Sequence, residues 1–225
     1  MADNTPILIT GASGLVGTAL IQRLQQTHPG RPIHVLSRRP DEVERSIGGT
    51  VRAFGWSPSE GTLDHEALEG VGHIVHLAGE PVAQRWSAET KQRIRDSRTG
   101  ALHLLKTACV GASFCPRIIS ASAVGLYGSA ADIKTEASPA GRGFLADVVQ
   151  EWEDAAVGLG NLGGGHVALR IGLVISANGG VLKRLLPIYR MGLGAPLASG
   201  SQWQSWIHID DLVNLFITAL DRQDW

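Results

Sequence analysis

The stretch PILITGASGLVGTAL at Pro6–Leu20 constrains this chain more than any other, because a short apolar run leads into Gly11, Gly14 and Gly17 and then into a helical pattern. Each glycine has its own task. Gly11 lets the chain turn sharply out of a strand, Gly14 lets backbone N–H groups approach a pyrophosphate with no side chain in the way, and Gly17 lets the next helix pack closely on the sheet. The helix N-terminus, with unpaired N–H groups and the positive end of the macrodipole, then favours an anion. Val16, Leu20 and Leu24 continue at helical spacing, so the stretch predicts a strand, a tight turn and a helix around a dinucleotide phosphate.

Strand-like runs recur at Ile7–Thr10, Ile33–Ser37, Val51–Phe54, His73–Ala78, Arg117–Ala121 and His166–Ile171, most of them near-continuously apolar. That is the pattern of strands buried on both faces. Helical patterns at Leu15–Gln26, Ala88–Val110 and Phe144–Leu159 alternate with them. The expected fold is therefore α/β: a Rossmann-like, doubly wound parallel sheet with helices on both faces, and by analogy with such sheets the strand order is 3-2-1-4-5-6 with ligands above the carboxyl ends of the strands. A last helix, Asp210–Leu220, is expected to be capped by Asp210 or Asp211. Candidate linkers are the loops Trp56–Thr62, Gly128–Gly143 and Ser176–Gly180, and 225 residues suit one such domain, residues 1–225.

Lys plus Arg number 20 against 21 Asp plus Glu, a net charge of -1, which supplies no field to gather nucleic acid or an anionic membrane. A small-molecule substrate is the expected partner. Cys109 and Cys115 lack metal-ligand spacing, and the eight histidines form no HxxxH pattern, so no metal site is expected. With no basic-apolar leader and no membrane-length apolar run, the sequence reads as a cytoplasmic protein. A homodimer through two long helices is left open.

After the second strand comes Ser37-Arg38-Arg39, where an NAD-selective protein usually carries a carboxylate for the ribose 2′-hydroxyl. An arginine there suits a 2′-phosphate, so NADP(H) is favoured over NAD(H). Leu77-Ala78-Gly79 closes the fourth strand with residues small enough for a ribose or phosphate to lie against backbone.

GASGLVG, HLAGEP, RWSAETKQRIRDSR, ISASAVGLYG, FLAxxxxxWE, LRIGLV, GGVLKRLLPIYRMGLGAPLASG and WIHIDDL follow one another over essentially the whole chain. In that order and spacing the sequence resembles the atypical, extended short-chain dehydrogenase/reductases assigned as nucleotide-sugar epimerases. The resemblance implies an NADP(H) site. Gly11, Ser13, Gly14, Leu15, Val16 and Gly17 would hold the pyrophosphate, and Ser37 with Arg38 the adenosine phosphate. Leu77, Ala78 and Gly79 would border the adenosine side, Arg98 would project from the long helix toward the cofactor, and Val174 would offer backbone beside the nicotinamide.

The resemblance also places Ser122 where related enzymes hydrogen-bond a substrate oxygen, close to Tyr127. Relatives that oxidise or reduce a carbinol add Tyr-x-x-x-Lys on the next helix, and this chain departs there. Phe144 and Val148 occupy those positions in a stripe with Trp152, Ala155 and Leu159, which reads as core packing. Acid/base work would then fall to Tyr127, to Ser122 through water, or to a carboxylate such as Glu80 or Glu136. Arg170 could reach a substrate phosphate or form a structural ion pair, and Trp203 and Trp206 could line a pocket with Arg190 or cover the sheet. The expected function is an NADP(H)-dependent oxidoreductase or epimerase on a small polyhydroxy or nucleotide-sugar-like substrate; the alternative is a non-catalytic NADP(H)-binding sensor or scaffold. Members of the family continue beyond the position of Trp225 into a segment that helps wall the substrate cleft, which is expected to be missing here.

Overall fold

Strand and helix alternate along the chain as the periodicity demands, because each apolar strand must be covered on both faces. The computed structural model describes residues 5–112, 114–129, 132–196 and 199–225. Residues 130 and 131 of the Gly128–Gly143 loop, and 197 and 198 of the GGVLKRLLPIYRMGLGAPLASG segment, lie outside the described residues. The first half runs β1 (Ile7–Thr10), α1 (Leu15–Thr27), β2 (Ile33–Ser37), α2 (Pro40–Ile47), β3 (Val51–Ser57), β4 (Thr62–Leu63) and β5 (His73–His76). The second runs α3 (Ala88–Gly111), β6 (Arg117–Ala123), α4 (Phe144–Gly160), β7 (His166–Ile171), β8 (Leu173–Ser176), α5 (Gly180–Arg190), β9 (Trp206–His208) and α6 (Ile209–Asp221).

The main sheet has the order β4-β3-β2-β1-β5-β6-β7. Apart from β4, a two-residue antiparallel edge on β3, every pairing is parallel, and the six long strands stand in the expected 3-2-1-4-5-6 order. The order reverses between β1 and β5. Ligands of such sheets bind at that reversal, above the strands' carboxyl ends. Ile7, Leu8 and Ile9 are fully buried on alternating faces, which explains why β1 reads as an unbroken apolar run. Helix α1 packs on α6 and α3 on α4, flanking the sheet.

Several elements extend or revise the sequence reading. Strand β5 ends at His76, two residues before the expected boundary, because the chain turns at Leu77 toward the glycine crossover, whereas β3 and β6 run on to Ser57 and Ala123. The cap of α6 is His208, whose Nδ1 accepts from the Asp210 N–H at 3.3 Å, so neither Asp210 nor Asp211 has that role. Helices α2 and α5 are additional to the sequence reading: both are amphipathic, but α2 buries only Val43 and α5 has no fully buried residue. Strands β8 and β9 pair in parallel as a separate two-stranded sheet, with Leu173 opposite Trp206 and Val174 opposite Ile207. Among the described residues, no helix is long and apolar enough to cross a membrane.

Candidate functional site

The crossover from β1 to α1 is built so tightly that only hydrogen fits at two of its three glycines. Gly11 has φ +75°, and a Cβ there would stand 2.7 Å from the Leu77 carbonyl carbon and 2.8 Å from the Ala78 nitrogen. A Cβ on Gly17 would stand 2.8 Å from the Ala12 Cα, so the helix packs closely on the backbone of the turn that follows β1. Gly14 caps α1 with no side-chain hydrogen bond, and the first turn holds no acidic residue. Among the described residues, the N-terminal N–H groups of α1 receive no side-chain cap, and no carboxylate in the first turn opposes an anion there. Ser13 and Gly14 are exposed, with Leu15 half-buried behind them. A groove of about 630 Å³ opens from these residues between α1, the Ser176–Gly179 turn and the start of α6.

The neighbouring Leu77–Glu80 loop is fixed from beneath. Thr10 Oγ1 accepts from the Leu77 and Ala78 N–H groups, both at 3.2 Å, and lies 2.9 Å from His76 Nδ1. With its lone pairs so engaged, the Thr10 hydroxyl gives its hydrogen to Nδ1, which assigns the His76 proton to Nε2. Burial, and then the Arg98 charge, press the His76 pKa down to about 3. Arg98 comes from α3 but turns under the loop, donating to the Glu80 carbonyl at 3.1 Å and the Ile94 carbonyl at 2.9 Å, with its guanidinium over the Trp152 ring. A Cβ on Gly79 would lie 3.2 Å from Arg98 Cζ. Arg98 thus supports the loop that borders the site.

At the end of β2, Ser37 Oγ accepts from the Arg39 N–H at 3.0 Å, and Arg39 pairs with Glu42 at 3.0 Å. Arg38 is exposed and makes no ion pair among the described residues. Val174 lies on β8, just before the turn whose Gly179 and Gly180 pack on Leu15, which brings it to the crossover's edge of the molecule.

Ser122 and Tyr127 are brought together by two residues from other elements. The Ser122 hydroxyl donates to Glu153 Oε1. Arg170 grips the same carboxylate with two N–H groups, at 2.9 and 2.8 Å, and donates to the Tyr127 hydroxyl oxygen at 2.7 Å and the Glu136 carbonyl at 3.0 Å. Burial alone would raise the Glu153 carboxyl, but hydrogen bonds from Arg170 and Ser122 and the Arg170 charge hold it below its ordinary range. The hydrogen bond to Glu153, against some burial cost, holds the Arg170 guanidinium charged. Arg170 is thus in the structural ion pair considered for it. Glu153 was legible only as the last letter of FLAxxxxxWE; its role needs α4 laid across β6 and β7. The Glu80 carboxylate takes a hydrogen bond from Gln84 at 3.2 Å, and Glu136 joins the network through its backbone alone. Trp203 and Trp206 are exposed and cover no sheet. Cys109 is a buried thiol pushed up to about 12 by burial and then by Cys115, as suits a structural cysteine. Among the described residues no His, Cys, Asp and Glu cluster could hold a metal.

The buried histidines give the fold an acid limit. His76, and more modestly His166 through its burial, have folded pKa values below the ordinary 6.5, so folding favours their neutral forms. That contribution is complete above pH 6.5 and is lost as pH falls below it toward 3, at roughly 1.4 kcal/mol per pH unit for one proton. Glu153 adds loss in the same direction only at lower pH, below the ordinary carboxylate range. Urea unfolding between pH 6.5 and 4.5 is expected to show this slope, and His76→Gln is expected to flatten it.

A doubly wound sheet with an uncapped helix behind a glycine crossover at its strand-order reversal defines a Rossmann-like protein of the extended short-chain dehydrogenase/reductase type. The chain belongs to the NAD dependent epimerase/dehydratase family, whose model matches residues 7–224. It is 37% identical over 226 residues to the chloroplastic epimerase family protein SDR39U1 homolog of Arabidopsis thaliana, covering 97% of this chain and 63% of that protein. An epimerase family protein of Mycobacterium bovis is 38% identical over 219 residues, 96% of this chain and 69% of the relative. The chain therefore spans about two thirds of the length of these curated relatives. Among solved structures, a nucleoside-diphosphate sugar epimerase from Corynebacterium glutamicum superposes with a TM-score of 0.81 at 32% identity, over 98% of this chain and 44% of that one. Human epimerase family protein SDR39U1, crystallised with NADPH, gives 0.76 at 28% identity, over 98% and 71%.

Proposed function

We propose that the chain binds NADP(H) and acts as an NADP(H)-dependent oxidoreductase or epimerase on a small polyhydroxy or nucleotide-sugar-like substrate. One observation carries the reading: the β1–α1 crossover excludes any Cβ at Gly11 and Gly17 and leaves the α1 N-terminus without a cap or an acidic residue. Gly11, Ser13, Gly14, Leu15, Val16 and Gly17 would hold the diphosphate, Ser37 and Arg38 the adenosine phosphate, Leu77, Ala78 and Gly79 the adenosine side, and Val174 the nicotinamide side. The freedom of Arg38 and the NADPH in the human relative's structure support NADP(H) over NAD(H). Bound there, the coenzyme would supply the hydride chemistry, and the protein would supply orientation and proton transfer.

Arg38→Ala is expected to weaken NADPH binding by about 10-fold or more, the worth of a charge-assisted hydrogen bond, and to leave NADH binding unchanged. Fluorescence titration of both coenzymes checks this, and equal losses for the two would contradict it. Phe144 and Val148 on α4, in place of a tyrosine and a lysine, favour a second reading as a non-catalytic NADP(H) sensor or scaffold. NADPH oxidation across a panel of sugar-like and small carbonyl compounds separates the two: turnover supports the enzyme, and tight binding with no turnover supports the sensor.

A further inference from the structure

We infer that Tyr127 gives and takes the proton at the substrate oxygen, with Arg170 as its cationic partner and with Glu153 and Ser122 as positioning residues behind them. This rests on the proposed NADP(H)-dependent reaction. The motif that relatives use for this work is absent from α4, yet the same pairing of a phenol with a cation is assembled here from different elements. Tyr127 comes from the short turn of helix Val124–Tyr127 after β6, Arg170 from β7, and Glu153 from α4. All three meet beside the carboxyl ends of β6 and β7. Strand β6 stands two inter-strand spacings, about 10 Å, from the glycine crossover at the end of β1.

The hydrogen bonds settle which group has a proton to give. Arg170 donates into the Tyr127 hydroxyl oxygen at 2.7 Å, so the phenol's own hydrogen is not directed at Arg170, and it has no acceptor among the described residues. Ser122 is in the opposite position: its hydroxyl hydrogen is committed to Glu153, and the residue is only 3% exposed. Ser122 therefore acts through Glu153, which holds Arg170 by both carboxylate oxygens and so fixes the guanidinium against Tyr127. Tyr127 is half-buried, with the Arg170 guanidinium over its ring.

In the reductive direction, with a hydride that bound coenzyme would supply to the carbonyl carbon, the C=O π bond would break and the carbonyl oxygen would take the Tyr127 proton as the new O–H. The phenolate so formed keeps the Arg170 N–H as its donor until solvent returns a proton. Oxidation of the alcohol reverses each transfer, with Tyr127 receiving the proton.

The chain has two tyrosines, so Tyr189→Phe leaves one resonance to follow with ¹³Cζ-labelled tyrosine. Without coenzyme, the paired change Glu153→Gln with Arg170→Gln, which removes both charges and leaves no unpaired ion, is expected to move the Tyr127 resonance. Arg170→Lys is expected to leave it near its original position. In turnover, Tyr127→Phe is expected to lower kcat by roughly 100-fold or more with NADPH affinity and substrate KM unchanged. Ser122→Ala should lower kcat less than Tyr127→Phe, and Arg170→Lys should retain most of it. A resonance indifferent to Arg170, or full kcat in Tyr127→Phe, would overturn the assignment while leaving the enzyme reading intact. Absence of turnover in the unaltered protein across the carbonyl panel would overturn both, and the resonance would still report whether the Arg170 to Tyr127 contact exists.

Discussion

Gly11→Ala is expected to abolish measurable NADPH binding and to destabilise the fold by about 2–5 kcal/mol. The left-handed backbone at φ +75° costs a residue with a Cβ roughly 1–2 kcal/mol, and forcing atoms into a packed site costs about 1–3 more. The atoms met are the backbone of Leu77 and Ala78, which cannot swing aside as a flexible side chain would. Relief requires the Leu77–Glu80 loop to move away from β1, breaking the hydrogen bonds that the Leu77 and Ala78 N–H groups donate to Thr10 and opening the edge where the coenzyme would lie. Gly30→Ala is the control. Its φ is +87°, but its Cβ would meet nothing within 4 Å, so it is expected to cost only the backbone term, about 1–2 kcal/mol, and to leave binding intact. Denaturant unfolding and coenzyme titration of the two variants measure both effects.

Glu153→Ala is the second large effect, expected to destabilise by about 2–3 kcal/mol and to lower Tm by roughly 5–10 °C. Removing one member of a fully buried pair costs about 3–5 kcal/mol, and the Arg170 and Glu153 side chains, 25% and 15% exposed, retain some solvent. The change strips Arg170 of its bidentate partner and Ser122 of its acceptor at once. The paired change Glu153→Gln with Arg170→Gln is expected to cost less than Glu153→Ala, because it leaves no guanidinium unpaired. By contrast Glu89→Ala, which breaks an exposed i,i+4 pair with Arg93 at 3.0 Å, is expected to change stability by less than about 0.5 kcal/mol. Thermal melts of the three variants test the order.

What the sequence disclosed about the fold was what local chemistry can encode. Continuous apolar strands, amphipathic helices and three glycines with separate tasks suffice for the six long strands and the crossover, while the strand order comes by analogy with other doubly wound sheets. Helix α5 is amphipathic, but Pro187 inside it reads as a helix breaker and masks it in the sequence. The His208 cap was hidden for a different reason. Asp and Asn are the usual caps, and only the coordinates show the imidazole turned back onto the Asp210 N–H.

The candidate site divides the same way. The cradle lies within a few residues of its own strand and could be read from them. The network around Tyr127 joins residues 31, 17 and 43 positions apart in the chain, so no local pattern announces it. Ser122 shows the consequence: its position suggested a hydroxyl facing a substrate, whereas the fold brings Glu153 to it from α4. Arg98 is similar, since a helix position facing the site says nothing of the backbone carbonyl of Glu80 that receives its guanidinium.

Isothermal titration calorimetry with NADPH on folded protein tests the central claim most directly. A saturable heat for one site, with NADPH bound more tightly than NADH and lost in Gly11→Ala, is the predicted result. Absence of heat with NADPH, NADP, NADH and NAD alike, on protein whose thermal melt is cooperative, would contradict it.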